Sequence, residues 1–179
     1  MKLSQLQFFI ILFILLVSQG LAIDLLPSSL ATSDVLIVPH WLLLFLMLIA
    51  IKYDRNETFY SIVYSVAFGL LIDIVYTGML GIYMFVYPVS VYVAHILKRM
   101  FHTNILMSSI IAIITITVTE VLIYYIYTIL GMIDATMSYF LLYRLLPTTM
   151  ANLLFFLLIY GIFSQLLVRW SNEQLEKMS

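Results

Sequence analysis

The sequence contains no cysteine and few charged residues. The absence of cysteine excludes disulfides, thiolate catalysis and metal sites built on thiolates. Only 9% of the 179 residues are charged, against about 25% in soluble domains, so the chain lacks the polar surface of a water-soluble globule. A net charge of -1 offers no basic patch for nucleic acid. What the chain has in excess is hydrophobic residues, at 64% of the sequence, and its mean hydropathy is +1.13.

Six long apolar runs predict an all-α integral membrane protein with one transmembrane domain over residues 1–179. A helix needs about 20 apolar residues to cross the hydrocarbon core, with a range of about 17–25. The predicted spans are approximately Phe8–Ile23, Val35–Ile51, Phe59–Tyr76, Ile82–Leu97, Ile105–Leu130 and Tyr139–Val168. The last run is too long for one straight crossing. Pro147 interrupts it and predicts a kink, because proline removes a backbone hydrogen bond.

The basic residues predict the orientation of these spans. Seven of the eight Lys and Arg residues fall at alternate breaks between the apolar runs: Lys2, Lys52, Arg55, Lys98, Arg99, Arg169 and Lys177. The other breaks contain Asp24, Asp34 and Asp134 and no basic residue. Since positive charge is retained on the cytoplasmic side, we expect both termini to lie inside the cell. Arg144 is the exception, because it falls within the sixth span.

The first span has a second interpretation. Lys2, the apolar run Phe8–Val17 and the small residues around Gly20 resemble a signal peptide with a cleavage site. The apolar stretch continues through Ala22 and Ile23, however, so we expect a retained first helix.

Three residues of the Asp, Glu, Lys and Arg types lie within the predicted spans: Asp73, Glu120 and Arg144. Charged residues in a span usually face protein or water, because burial in lipid costs about 2.5–3.5 kcal/mol. At 1.5 Å per residue, Asp73 lies roughly 21 Å and Glu120 roughly 22 Å from the cytoplasmic end of its helix. Arg144 lies about five residues in from the outside, at a similar depth. We expect Arg144 to pair with Asp73, with Glu120 as the alternative partner. In the other interpretation, Arg144 and Asp73 each extend to the outer interface.

Small residues line one face of the third span. Ser61, Ser65, Gly69 and Asp73 recur every four residues, and this spacing lets helix backbones approach closely in lipid. The face indicates either a plain internal helix contact or a packing seam that ends in a polar site. Gly78 and Gly81 predict a tight turn immediately after it.

Enzyme and metal signatures are absent from the sequence. It contains no Gly-x-Ser-x-Gly elbow and no Gly-x-x-x-x-Gly-Lys phosphate loop. Its three histidines lack the spacing of a metal site, and His40 and His95 fall near predicted helix ends. An aspartyl protease would need two juxtaposed carboxylates, and Arg144 near Asp73 and Glu120 favours neutralisation instead. We therefore expect no catalytic residue, no metal and no cofactor.

Two groups of residues form a longer pattern. The first comprises Gly69, Leu70, Asp73, Leu80 and Gly81, and the second comprises Arg144, Pro147 and Asn152, with Pro88 in the fourth span. These resemble the MreD family, the bacterial rod shape-determining membrane proteins. That family has a Gly-Leu-x-x-Asp segment before a Leu-Gly turn, and an Arg-x-x-Pro…Asn pattern in its last helix. The resemblance extends over nearly the whole chain.

The resemblance implies a non-enzymatic protein of the bacterial cell membrane with a role in cell shape and peptidoglycan synthesis. Its implied partners are the MreC-like membrane-anchored protein, a RodA-type glycosyltransferase with a penicillin-binding transpeptidase, membrane lipids and, indirectly, MreB. The implied fold is similar to the substrate-binding subunits of energy-coupling-factor transporters. A small-molecule-binding transporter subunit is therefore the alternative function. Under the scaffold hypothesis, Asp73 and Arg144 fix the third span against the sixth and present a groove to a partner helix.

Overall fold

The structure is a computed structural model that describes residues 3–24, 35–55, 58–101 and 104–176. Within these residues the chain forms six helical rods and no strand. They are α1, Leu3–Asp24; α2, Trp41–Tyr53; α3, Tyr60–Thr77; α4, Ile82–Met100; α5, Ile105–Ile129; and α6, composed of Met137–Tyr139, Phe140–Leu145 and Leu146–Glu176. The predicted loop between the first two spans, Lys2 and Lys177 lie outside the described residues.

Four of the described helices are long and apolar enough to cross a membrane. These stretches are Gln5–Ala22, Tyr60–Thr77, Ile105–Ile129 and Met137–Glu173. They confirm the prediction of an all-helical, multi-pass membrane protein. We call the end that carries the turns at 77–82 and 130–136 the outer end, following the predicted orientation, and the opposite end the inner end.

Helix α2 lies in the centre of the core. Every residue from Leu42 to Ala50 has a completely buried side chain, which explains why this helix is apolar on all sides. Phe8 and Leu12 of α1 pack against it, as does Phe156 of α6. The helices α1 and α6 also present large exposed apolar side chains on their other faces, as expected for helices in contact with lipid.

The second helix is shorter than the sequence predicts. Residues 35–40 are not helical, and α2 begins at Trp41 and not at Val35. Pro39 accounts for part of the difference, because proline disfavours the helical conformation of the residue before it and has no N–H. The backbone of segment 35–40 therefore needs hydrogen-bond partners from elsewhere in the protein.

Three helices contain π-helical turns, at Ile49–Tyr53, Asp73–Thr77 and Phe140–Leu145. Such turns are rare in proteins, and those that occur are often found at functional sites. Asp73 begins the second turn and Arg144 lies in the third. Two of the three charged residues of the predicted spans therefore lie where the regular α-helical hydrogen bonding is interrupted.

The inner end is held by Asp54, which follows α2 directly. Its carboxylate accepts hydrogen bonds from the backbone N–H groups of Tyr60 at 3.1 Å and Ser61 at 2.9 Å, and so caps α3. The Ser61 hydroxyl donates to the same carboxylate. Lys98 donates to the carbonyl oxygens of Ala50 and Asp54. Burial raises the pKa of the Asp54 carboxyl, while the bonds from Ser61 and the charge of Lys98 lower it.

Candidate functional site

Glu120 lies at the centre of a buried polar cluster near the outer end. Its side chain, on α5, is completely buried. One carboxylate oxygen, Oε1, lies 2.7 Å from Nε2 of His40, and the other, Oε2, accepts a hydrogen bond from Nε of Arg144 at 2.6 Å. Glu120 therefore joins segment 35–40 to α6, and a guanidinium compensates its buried charge.

The expected pairing of Arg144 with Asp73 is wrong. Arg144 pairs with Glu120, which was the alternative partner. The three residues do share a neighbourhood, because Asp73 accepts from the N–H of Tyr83, whose ring packs on that of Tyr87 at 5.3 Å. The Tyr87 hydroxyl in turn lies beside His40, which contacts Glu120. Similar depth stays a prediction, and depth does not determine which way a side chain points around its helix. Neither Asp73 nor Arg144 extends freely to the interface, since Asp73 is completely buried and Arg144 is bound to Glu120.

Asp73 instead caps the next helix. Its carboxylate accepts hydrogen bonds from the backbone N–H groups of Gly81 at 2.9 Å, Tyr83 at 2.8 Å and Met84 at 3.1 Å. These are groups at the start of α4 that lack partners within their own helix. The turn that brings them back to Asp73 requires left-handed backbone at Gly78, with φ 66°, and at Gly81, with φ 103°. Asp73, Gly78 and Gly81 thus form one structural unit.

The small-residue face of α3 is an internal contact. A Cβ atom added to Gly69 would lie 2.5 Å from the backbone oxygen of Tyr83, so glycine is what allows α3 and α4 to meet here. Ser61 and Ser65 are completely buried on the same face. The Ser65 hydroxyl donates to the carbonyl of Ile62 at 2.7 Å, so its proton is satisfied within its own helix.

Pro147 leaves a gap in the backbone hydrogen bonding of α6. Pro147 has no N–H, so the carbonyl of Tyr143, four residues earlier, lacks its usual partner in the helix. The N–H of Leu36 donates to that carbonyl at 2.8 Å. The backbone gap in α6 is therefore filled by the N–H of Leu36, near the start of segment 35–40.

Two side chains of α6 continue this attachment. The Thr148 hydroxyl accepts from the N–H of Val38 at 3.1 Å and donates to the carbonyl of Leu36 at 3.2 Å. One turn further, the Asn152 amide donates to the carbonyl of Val38 at 2.7 Å and accepts from the N–H of His40 at 2.6 Å. The Tyr143 carbonyl, Thr148 and Asn152 together hold segment 35–40, which we call the docked segment. Arg144 is linked to it through Glu120, which contacts His40.

Sequence reasoning missed His40, although a signal was present. His40 lies about five residues into its predicted span, as Arg144 does in the sixth, so both fall at the depth of Glu120. Nδ1 of the His40 ring also lies 3.2 Å from the hydroxyl of Tyr87 on α4. Gln19 of α1 was missed too, and its side-chain oxygen accepts from the N–H of Leu42 at 3.3 Å.

Small cavities flank α6. One of about 320 Å³ is almost entirely apolar and is lined by Ala22, Ile37, Pro39, Trp41, Ala151, Asn152, Phe155 and Leu158. A smaller one, of about 140 Å³, reaches Arg144. Among the described residues, no group of three His, Cys, Asp or Glu side chains is placed to hold a metal ion.

The sequence is similar to known proteins over most of its length. The family model described as rod shape-determining protein MreD matches residues 2–169. The chain belongs to the MreD family. It is 26% identical over 136 residues to the rod shape-determining protein MreD of Bacillus subtilis (strain 168), a match covering 76% of this chain and 77% of that protein. No solved structure gives a significant match, so the similarity to energy-coupling-factor subunits stays a prediction.

MreD-family membership confirms the resemblance found in the sequence and makes this chain a rod shape-determining membrane protein. The matched residues contain the whole polar cluster, from Gln19 to Asn152. In this MreD-family structure, the Asp73 segment builds the α3–α4 corner, and the Arg144–Asn152 segment holds the docked segment. The two parts of the pattern thus have separate structural tasks.

Proposed function

We propose that the chain is a non-enzymatic scaffold of the cell-wall elongation machinery. In this role it holds an MreC-like membrane-anchored protein through contacts between helices within the bilayer. A RodA-type glycosyltransferase and a penicillin-binding transpeptidase join the same assembly, with MreB acting indirectly. The family supports a place in rod-shape determination, and the particular contacts are our proposal.

The main support is the contrast between the polar interior and the exterior of α6. Inside, both oxygens of Glu120 and both ends of the Asn152 amide bind other parts of the chain. These groups hold the fold, and so they do not form the poised acid, base or nucleophile of an active site. The lipid-facing surface of α6 is the other part of the molecule that is available to bind a partner.

One face of α6 has the form of a helix-packing ridge. Its members recur every four residues and each has more than half of its surface exposed: Leu146, Met150, Leu154, Leu158 and Ile162. Rows at this spacing are the ridges that pack into the grooves of another helix. Gly161 adjoins the ridge, and a Cβ atom added there would meet no atom within 4 Å.

No contact within the described part of the chain requires glycine at position 161. Glycine within a helix is about 1 kcal/mol less favourable than alanine, and here no internal neighbour requires the small residue. In lipid, small residues allow a second helix to approach closely. We therefore place the partner helix against the ridge, with its closest approach at Gly161.

Gly161→Leu tests this placement. A leucine at the closest approach should weaken recovery of the MreC-like protein about tenfold, or about 1.4 kcal/mol, while leaving the fold intact. The measurement is co-purification from gently solubilised native membranes, together with thermal stability. Val63→Leu is the matched control, because Val63 is 67% exposed on α3.

Wild-type recovery of the partner by the Gly161→Leu protein would refute the assignment to α6. Recovery of an ATPase pair with a coupling membrane subunit, in place of an MreC-like protein, would instead support the transporter-subunit alternative.

A further inference from the structure

Arg144 uses only part of its hydrogen-bonding capacity inside the protein. A guanidinium has five N–H donors. The Nε–H donates to Glu120 at 2.6 Å, and no described residue accepts a hydrogen bond from the terminal NH₂ groups. The Arg144 side chain is 18% exposed, whereas Glu120 is fully buried. Glu120 therefore fixes the orientation of a guanidinium whose outer edge is left for another acceptor.

That edge borders a small cavity at the outer end. Its volume is about 140 Å³, and its other walls are Leu36, Tyr124, Ile133, Ala135, Tyr139 and Phe140. The rings of Tyr124 and Phe140 stack at 4.4 Å, and the Tyr124 hydroxyl donates to the carbonyl of Ala135 at 2.8 Å, which holds the loop over the cavity. The walls thus combine one cation with apolar and aromatic surface.

The size of the cavity limits what it can hold. Sites that enclose whole small molecules measure about 300–1,000 Å³, so this one has room only for a single chemical group. An anionic group would satisfy the terminal N–H groups of Arg144 through charge-assisted hydrogen bonds. The remainder of such a ligand would extend out of the cavity along an apolar helix surface.

The geometry points to a binding site for the anionic headgroup of an amphiphile in the outer leaflet. The guanidinium of Arg144 donates to the phosphate oxygens, the aromatic walls enclose the headgroup, and the hydrocarbon chain stays in the bilayer. This site is separate from the ridge on α6 and does not depend on the proposed scaffold function.

Lipid binding by the purified full-length protein tests the site. The protein is reconstituted in phosphatidylcholine nanodiscs with spin-labelled phosphatidylglycerol or spin-labelled phosphatidylcholine, and the immobilised fraction of each label is measured. We expect a preference of about tenfold for the anionic lipid, because the phosphate of phosphatidylcholine is already compensated by its own choline cation.

The decisive variant is Ala135→Trp, which fills the cavity and leaves Glu120 and Arg144 unchanged. It should remove the preference, whereas the matched control Met132→Trp, in the same loop but outside the cavity lining, should keep it. Arg144→Lys, which keeps the charge but loses the planar fork, should reduce the preference.

Equal immobilisation of the two lipids by the wild-type protein would overturn the inference, as would an unchanged preference in folded Ala135→Trp. Displacement of the labelled phosphatidylglycerol by inorganic phosphate at a concentration no higher than that of the lipid would also overturn it, because it would show an anion site to which the hydrocarbon chain contributes nothing.

Discussion

Asp73 and Glu120 are both completely buried carboxylates at the outer end, but they are stabilised in opposite ways. Within the described parts of the chain, the Asp73 carboxylate accepts hydrogen bonds only from backbone N–H groups, which lie 8 to 11 residues further along. Glu120 binds two side chains, one 24 and the other 80 residues away in sequence. The first carboxylate closes a local corner, and the second connects three distant parts of the fold.

The difference shows how a membrane protein can use the same buried charge for two purposes. A carboxylate that caps a helix is neutralised by fixed peptide dipoles and cannot change partner without unfolding the turn. A carboxylate bound to an arginine and a histidine depends on side chains that can rotate. We therefore expect substitutions at Glu120 to affect the assembly of the bundle, and substitutions at Asp73 to affect the α3–α4 corner.

The largest effect is expected for Glu120→Gln. It leaves Arg144 without its charged partner, and loss of one partner of a fully buried pair costs about 3–5 kcal/mol. The cost here should be at the lower end, since the Arg144 side chain is 18% exposed. The measurement is the unfolding free energy of the purified protein in detergent titrated with sodium dodecyl sulfate. Adding Arg144→Gln should restore part of the loss, and a double variant worse than both single variants would contradict the ion pair.

A smaller effect is expected for Asp73→Ala. The change leaves the N–H groups of Gly81, Tyr83 and Met84 without acceptors, at a cost of about 1–3 kcal/mol. Hydrogen exchange should increase at the start of α4 and not in the docked segment. Exchange that increases at residues 36–40 instead would show that Asp73 acts through the Glu120 cluster.

The smallest effect is expected for Thr148→Val, which preserves shape and removes the hydroxyl shared by Leu36 and Val38. Hydrogen bonds between transmembrane helices contribute about 0.6 kcal/mol on average and up to about 1.7 kcal/mol, so the loss should fall in that range. Hydrogen exchange should become faster at the backbone N–H of Val38, which loses its acceptor. Thr117→Val, on α5, is a control outside the cluster, and an equal loss there would contradict the assigned role of Thr148.

The sequence was sufficient to predict an all-helical membrane protein and to bring Glu120 and Arg144 to one level. Apolar runs located the spans, and rise per residue placed Asp73, Glu120 and Arg144 near one level. Pairing was not predictable in this way, because it depends on the rotation of each helix about its axis. The non-helical segment 35–40 was also missed, although Pro39 indicated it, because hydropathy does not distinguish a helix from an apolar segment whose backbone is bonded to Thr148 and Asn152.

The most direct test of the account is a pair of double-mutant cycles on unfolding free energy, Glu120→Gln with Arg144→Gln and Asp73→Asn with Arg144→Gln. Contacting residues in one network couple by about 0.5–3 kcal/mol, and independent ones add within about 0.5 kcal/mol. We predict coupling of at least about 1 kcal/mol between Glu120 and Arg144, and additivity between Asp73 and Arg144. Strong coupling of Asp73 to Arg144 with additivity at Glu120 would contradict the division of roles between the two carboxylates.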